Sequence, residues 1–490
     1  MTALLITVFA PLTGALILPL VRSLRLAGWL NLGFCATSLA GSVWLALQIM
    51  DAGELTGNGF HIDAFNIYLV VLTAFVGLTT AIFSRPYMTH ICREGRVSAR
   101  RMRLYHSMFQ GFMFTMLLAL TTNNLGVLWV AVEGATLATV LLVSLYRTPE
   151  SVEAAWKYFI LCGVGIALAL FGTVLVYFAA QQALTDSSEG LRWTTLYAEA
   201  GRLHPMVMAI AFVFLLVGYG TKVGLVPLHH WLPDAHSEGP TPISALLSGL
   251  LLNVALYAVV RFKMLVDGAL AATDKAAIAG HLMMGFGLLS FLVAGLFLYR
   301  QRDIKRMFGY SSIEHMGLMT FAFGLGGPLA TFAGLLHMLV HSLTKSAIFI
   351  TVGHATHIAG TQSIDHIRGL IRTQPAVGWG LLLGVVAIAG FPPFGIFTSE
   401  FLLLMATMQR WPWLTMILVL GLVMAFAGLF RHLHPMVYGK IPEGQQPVTA
   451  NMLPVMLHLG LVFCLGIAIP AFLARWLDQA TFLISGSHLL

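Results

Sequence analysis

The sequence predicts an all-α polytopic membrane protein with about fourteen transmembrane helices. Three observations lead there. Of 490 residues, 58% are hydrophobic and only 10% charged, with a mean hydropathy of +0.85, so there is too little charge to cover a soluble domain. Apolar runs of about 20 residues, enough to cross a bilayer, recur from end to end. The basic residues sit in short loops between those runs, as in cytoplasmic loops of membrane proteins. The formal charge of +7 is therefore not a nucleic-acid patch.

The spans begin near Ala3, Gly28, Ala64, Leu104, Leu125, Ala154, Met206, Ile243, Ala276, Tyr310, Ala330, Val377, Trp413 and Asn451. The first run has no small-residue cleavage site with a soluble domain after it, and reads as a retained helix. Cys35, Cys92, Cys162 and Cys464 are far apart and form no CxxC, so neither a disulfide framework nor a zinc or iron–sulfur site is indicated.

Orientation follows from the loop charges. Arg85, Arg93, Arg96, Arg100, Arg101 and Arg103 lie between the third and fourth spans, which places that loop in the cytoplasm and both termini outside. Arg22 and Arg25, the group Arg300, Arg302, Lys305 and Arg306, and Arg368 with Arg372 agree. The acidic stretch Asp51 to Asp63 falls outside. Arg261, Lys263 and Lys275 dissent, partly offset by Asp267 and Asp274.

Two spans are interrupted. In the seventh, GYGTKVGLVPLHHWLPDAHSEGPTP carries Lys222 just before Gly224 and Pro227. In the twelfth, AGFPPFGIFTSEFLL places Pro392 and Pro393 before Glu400, and successive prolines remove helix donors. Interrupted spans in corresponding places point to inverted repeats and to a site between them. Spans four to eight and nine to thirteen would form two such five-helix units. The expected divisions are a three-helix segment with its basic loop at 1–103, a first repeat at 104–265, a second at 266–440 and a C-terminal helix at 441–490.

Ionisable residues at membrane depth are costly and mark ion or proton paths by default. Glu133 is flanked by apolar residues for more than a turn on each side, and Lys222 is its natural partner. Contact favours both charged forms and separation disfavours them, so the pair reads either as a proton-loading switch or as a static buried ion pair. His337, His341 and Lys345 share one helical face at spacing i, i+4, i+8. Histidines at i, i+4 can hold a metal, but the zinc-protease glutamate is missing, so no metal site is read. A proton relay or satisfied core histidines remain. His315, next to Glu314, and Asn253 add polar positions, and Lys157 is expected to snorkel to the interface. His229, His230, Asp234, His236 and Glu238 read either as ordinary loop chemistry or as a proton-intake loop.

Four segments then carry a resemblance: TKVGLVPLHHWLPDAHSEGPTPISALLSG, RDIKRMFGYSSIEHMG, HSLTKSAIF and AGFPPFGIFTSEF. Together they resemble the antiporter-like subunits of respiratory complex I, of multi-subunit sodium/proton antiporters and of membrane-bound group 4 [NiFe]-hydrogenases, over roughly Leu104 to Arg431. Within that superfamily the chain is most similar to hydrogenase-4 component F, of formate hydrogenlyase-type complexes. The resemblance implies a subunit without redox cofactors of its own, performing no bond chemistry. Its partners would be other membrane subunits and a [NiFe]-hydrogenase arm, in a bacterial inner membrane. It matches Glu133 and Lys222 to a coupled pair, His315 and His341 to connecting histidines, Lys345 to a lysine of some members, and Glu400 to an exit carboxylate. Two positions depart. Asn253 stands where many relatives have lysine or histidine, so His341 and Lys345 must bridge the centre. Gly224 stands where many have proline, which moves the expected break toward Pro227. A multi-subunit cation/proton antiporter, complex I, or a non-pumping scaffold are the alternatives.

Overall fold

The computed structural model describes residues 1–184, 186–441 and 450–490. Its long helices are α1 (Thr2–Ile17), α2 (Leu24–Ala52), α3 (Ala64–Arg93), α4 (Ala99–Thr121), α5 (Leu125–Val143), α6 (Pro149–Ala183) and α7 (Pro205–Val223). After the short α8 (Trp231–Glu238) come α9 (Thr241–Leu270), α10 (Ile278–Leu298), α11 (Ile304–Leu325) and α12 (Pro328–Ala359). The chain ends with α13 (Pro375–Ile388), α14 (Gly395–Arg410), α15 (Pro412–Tyr438), α16 (Leu453–Ile467) and α17 (Ala471–Ser485). Among the described residues, a two-stranded ribbon, Leu55–Gly57 with Phe60–Ile62, is the only sheet. The protein is all-α and membrane-spanning.

Each expected span start falls on or within a few residues of a helix start. Among the described residues, ten helices are long and apolar enough to cross a membrane, eleven if the bent pair α16–α17 is one span. Two expectations change. The C-terminal helix is two helices meeting at 79°, because Pro470 cannot continue the first. The divisions at 103/104 and 265/266 fall inside α4 and α9.

The inner helices are set by where small residues permit close approach, the packing that serves membranes best. A Cβ on Gly218 of α7 would come within 2.6 Å of the Gly165 carbonyl of α6. Gly287 of α10 and Gly317 of α11 are likewise each within 2.6 Å of the other's carbonyl. These contacts press α7 on α6 and α11 on α10, and fix where Lys222 and His315 emerge. Helix α9 is completely buried in its apolar window, and α12 almost so. They form the centre.

Two of the three dissenting charges are paired, one across helices and one within its own helix. Arg261 of α9 is buried and bonds both carboxylate oxygens of Asp63, at 2.8 and 2.7 Å. Trp193 lies 4.3 Å from the guanidinium, with Phe65 and Tyr257 each at 5.1 Å. Lys263 pairs with Asp267. Neither is a free loop charge, so neither counts against the orientation rule. Burial opposes the Asp63 charge, yet Arg261 and His61 together hold its carboxyl well below the usual carboxylate range. A depressed carboxylate stabilises the fold at neutral pH, and that contribution fades as pH falls below about 4. Replacing Arg261 by Met strands Asp63 and is expected to cost about 3–5 kcal/mol. Thermal unfolding in detergent checks this: the Asp63→Asn/Arg261→Met double variant should regain much of the loss.

Candidate functional site

The first cluster is built on the end of α7. Gly224, at φ +85°, caps the helix, and the Leu225 amide returns to the Gly220 carbonyl at 2.9 Å. The break therefore begins at Gly224 and not at Pro227: the left-handed conformation there suits glycine. Lys222 sits in the final turn, fully buried, where the negative end of the helix dipole favours a cation. Trp231 Nε1 donates to the Thr221 carbonyl at 2.8 Å, satisfying one of the last-turn acceptors, and stacks on Tyr158 at 4.5 Å. The Tyr158 ring lies 5.2 Å from Lys222 Nζ.

Glu133 and Lys222 are not in direct contact, contrary to the simple ion pair read from the sequence. Thr136, one turn from Glu133 on α5, stands between them. Lys222 Nζ donates to Thr136 Oγ1, and that hydroxyl lies 3.1 Å from Glu133 Oε2. One hydroxyl thus links ammonium to carboxylate. Glu133 itself is half-buried, because it lies on the side of α5 that carries exposed Val130, Leu137 and Leu141.

The second cluster lies between α11, α12 and α14. Ser399 Oγ is 2.8 Å from the Ile396 carbonyl and must donate its only proton there. It therefore accepts from His337 Nδ1, 2.9 Å away. The neutral His337 ring then offers its Nε2 lone pair to His315 Nδ1–H at 3.0 Å. That leaves His315 Nε2 as the free acceptor, buried, 4.0 Å from Glu314 Oε2. Glu400 Oε1 is 3.9 Å from the same His315 Nδ1 that donates to His337. The result is a directed chain across three helices, from His315 through His337 to Ser399, with Glu314 near its first end and Glu400 beside the His315–His337 bond.

Around this chain the remaining polar groups cluster. His341 stacks near His315, centroids 5.5 Å apart, and both its ring nitrogens are buried without a protein partner. Lys345 Nζ donates to the Phe308 carbonyl at 3.2 Å, which also accepts from Ser312 Oγ at 2.9 Å. Ser248 Oγ lies 2.7 Å from Ser312 Oγ. Ser248 belongs to a π-helical turn in α9, Leu247–Leu251, a feature frequent at functional sites. Asn253 donates to the Met338 carbonyl at 3.0 Å and to Ser342 Oγ at 2.7 Å, so it ties α9 to α12. Among the described residues no hydrogen bond joins Lys222 to His315, His341 or Lys345.

Glu400 follows the second interruption. Helix α13 ends at Ile388, Gly390 takes φ +69°, and α14 starts at Gly395, with Pro392 and Pro393 between. A Cβ on Gly390 would collide with the Glu400 carboxylate, so glycine there makes room for the acid. A cavity of about 250 Å3, lined by Gly390, Phe391, Phe397, Phe401 and Phe426, opens beside it.

The loop residues divide. His230 is exposed. His229 is buried, which pushes its imidazole down to about 4. His236 is buried against Phe349, rings 4.7 Å apart. Burial, then the Lys345 and Lys305 charges, push it down to about 3. Asp234 is paired with Arg306 at 2.8 Å and with Lys157 at 3.4 Å. Lys157 does reach the surface, as expected of a snorkelling side chain. Thr136, Ser399, Ser248 and Glu314 were not singled out from the sequence as site residues, whereas Ser311 and Ser312 were noted beside His315 as positions that could hold waters. The signals were there for two of them: Thr136 is at i+3 from Glu133, and Glu314 adjoins His315.

Residues 122–425 match the family described as NADH:quinone oxidoreductase/Mrp antiporter, TM. The chain belongs to this family. It is similar to the Hydrogenase-4 component F homolog of Methylacidiphilum infernorum, 49% identical over 97% of this chain and 98% of that one. It is 28% identical to NADH-quinone oxidoreductase subunit M of Escherichia coli over 89% of this chain and 83% of that one. Among solved structures, a chain of the archaeal membrane-bound sulfane sulfur reductase aligns with a TM-score of 0.88 at 23% identity, covering 99% of this chain and 98% of that one. A chain of the Mrp complex from Dietzia sp. DQ12-45-1b aligns at 0.85 and 18%, with the same coverage. These last two share the fold. The protein is an antiporter-like, multi-pass membrane subunit.

Proposed function

We propose that this chain is the proton-translocating subunit of a hydrogenase-4 or formate hydrogenlyase-type complex, in a bacterial inner membrane with both termini periplasmic. Electron transfer in partner subunits, including a [NiFe]-hydrogenase arm, shifts charge at the Glu133–Thr136–Lys222 cluster. Protons then pass along Glu314, His315, His337 and Glu400, with His341 and Lys345 flanking the chain and water joining it to Lys222. The two interruptions belong to two inverted halves, spans four to eight and nine to thirteen. His229, His230, Asp234 and His236 lie at the cytoplasmic foot as an intake loop, and Asn253 positions α12 without carrying a proton.

One observation carries the reading: a directed His315–His337 hydrogen bond, flanked by Glu314 and Glu400, is buried among the membrane helices. Buried ionisable groups in a membrane are expensive and persist where they conduct. The partner assignment is tested by mild-detergent purification through this chain. Hydrogenase large and small subunits are expected to co-purify in stoichiometric amounts. A set of small antiporter subunits instead would assign the chain to a multi-subunit cation/proton antiporter.

A further inference from the structure

We propose that His315, His337 and Glu400 form a binding site for a divalent transition-metal cation of the zinc class. The sequence argued against a metal, because His337 and His341 lack a third ligand nearby in the chain. Folding supplies a different set from three helices: His315 on α11, His337 on α12 and Glu400 on α14. One ligand atom from each lies within 4.8 Å of the others, and all three residues are buried.

The donor set fits the cation. Two imidazoles and a carboxylate, with a fourth position for water, are a common zinc complement, and imidazole also suits cobalt, nickel and copper. Tetrahedral ligands with bonds of about 2.0 Å lie about 3.3 Å apart. His315 Nδ1 is 3.0 Å from His337 Nε2 and 3.9 Å from Glu400 Oε1, so only small side-chain shifts separate this arrangement from ligation. Glu400 Oε1 is buried with no hydrogen-bond partner.

The surrounding groups match as well. Metal-bound histidines donate their other N–H to an oriented acceptor. His337 Nδ1–H already donates to Ser399, which leaves Nε2 as a ready ligand. His315 must move its proton from Nδ1 to Nε2, where Glu314 Oε2 stands 4.0 Å away to accept it. If Glu400 is protonated, its proton leaves to solvent as the metal binds. Ligation takes three groups out of the proposed proton path, so a bound cation also blocks translocation; that consequence rests on the proposed function.

The test uses the purified complex, without a polyhistidine tag, titrated with Co2+ and read by visible absorption. All proteins carry His357→Ala, because His90 lies against His357 with ring centroids 4.0 Å apart and bonds Glu94 at 2.8 Å, a competing surface set. One low-coordinate cobalt band, displaced by Zn2+, is expected. Ser399→Ala keeps all three ligands and should weaken binding about 10- to 100-fold. His337→Gln and Glu400→Gln, checked for assembly, should weaken it further. A His357→Ala complex without the band, or a band unchanged by adding His337→Gln and Glu400→Gln, overturns the site. Zn2+ that binds there yet leaves proton translocation intact keeps the metal site and overturns the relay.

Discussion

Replacing Lys222 by Met should abolish proton translocation in proteoliposomes, by about 100-fold or more, while hydrogen oxidation with a soluble acceptor continues. The reasoning is local. Methionine nearly matches the lysine stem and removes the buried ammonium. Glu133 loses its cationic partner, but it is half-buried and keeps the Thr136 hydroxyl within α5 at 3.1 Å, so assembly of the variant is verified before translocation is measured. What disappears is the ammonium that shares a hydroxyl with Glu133. Proton uptake at the wild-type rate in an assembled Lys222→Met complex would sink the proposed role.

The second large effect concerns His315. It stands at the crossing of the directed chain, 3.0 Å from His337, 3.9 Å from Glu400 and 4.0 Å from Glu314. His315→Ala should stop translocation outright, whereas His341→Ala, whose ring nitrogens bond no protein atom, should slow it less. Stopped-flow proton uptake on the two variants ranks them. The reverse order would mean that protons run along the α12 stripe through His341 and bypass α11. Here the structure departs from the sequence-based expectation, which gave His341 and Lys345 the central bridging task.

How far the site could be read in one dimension depended on the kind of contact. Lys222, Glu133 and Glu400 announced themselves because a charge within an apolar run has no cheap structural explanation. The breaks were equally visible, at Gly224 and at Pro392–Pro393, because glycine and proline act on the backbone where they stand. Thr136 and Ser399 gave no such sign. A hydroxyl in a membrane helix satisfies itself on the preceding turn's carbonyl, as Ser399 does with Ile396 at 2.8 Å. Whether it also bridges two charges depends on which helix faces it. Asn253 shows the same limit: it looked like a missing proton carrier and is in place a clamp between α9 and α12.

The sequence by itself determined the membrane class, the helix order, the two interruptions and the family, through hydropathy, loop charge and local backbone chemistry. Only the tertiary structure decided that Glu133 reaches Lys222 through Thr136, and that His315, His337 and Glu400 converge. It also decided that Arg261 is a buried partner of Asp63 and not a loop charge. The physical reason is range. Burial patterns and helix breaks are properties of neighbouring residues. The relative placement of α5, α7, α11, α12 and α14 is set instead by close packing at glycines such as Gly218, Gly287 and Gly317, which no stretch of sequence records alone.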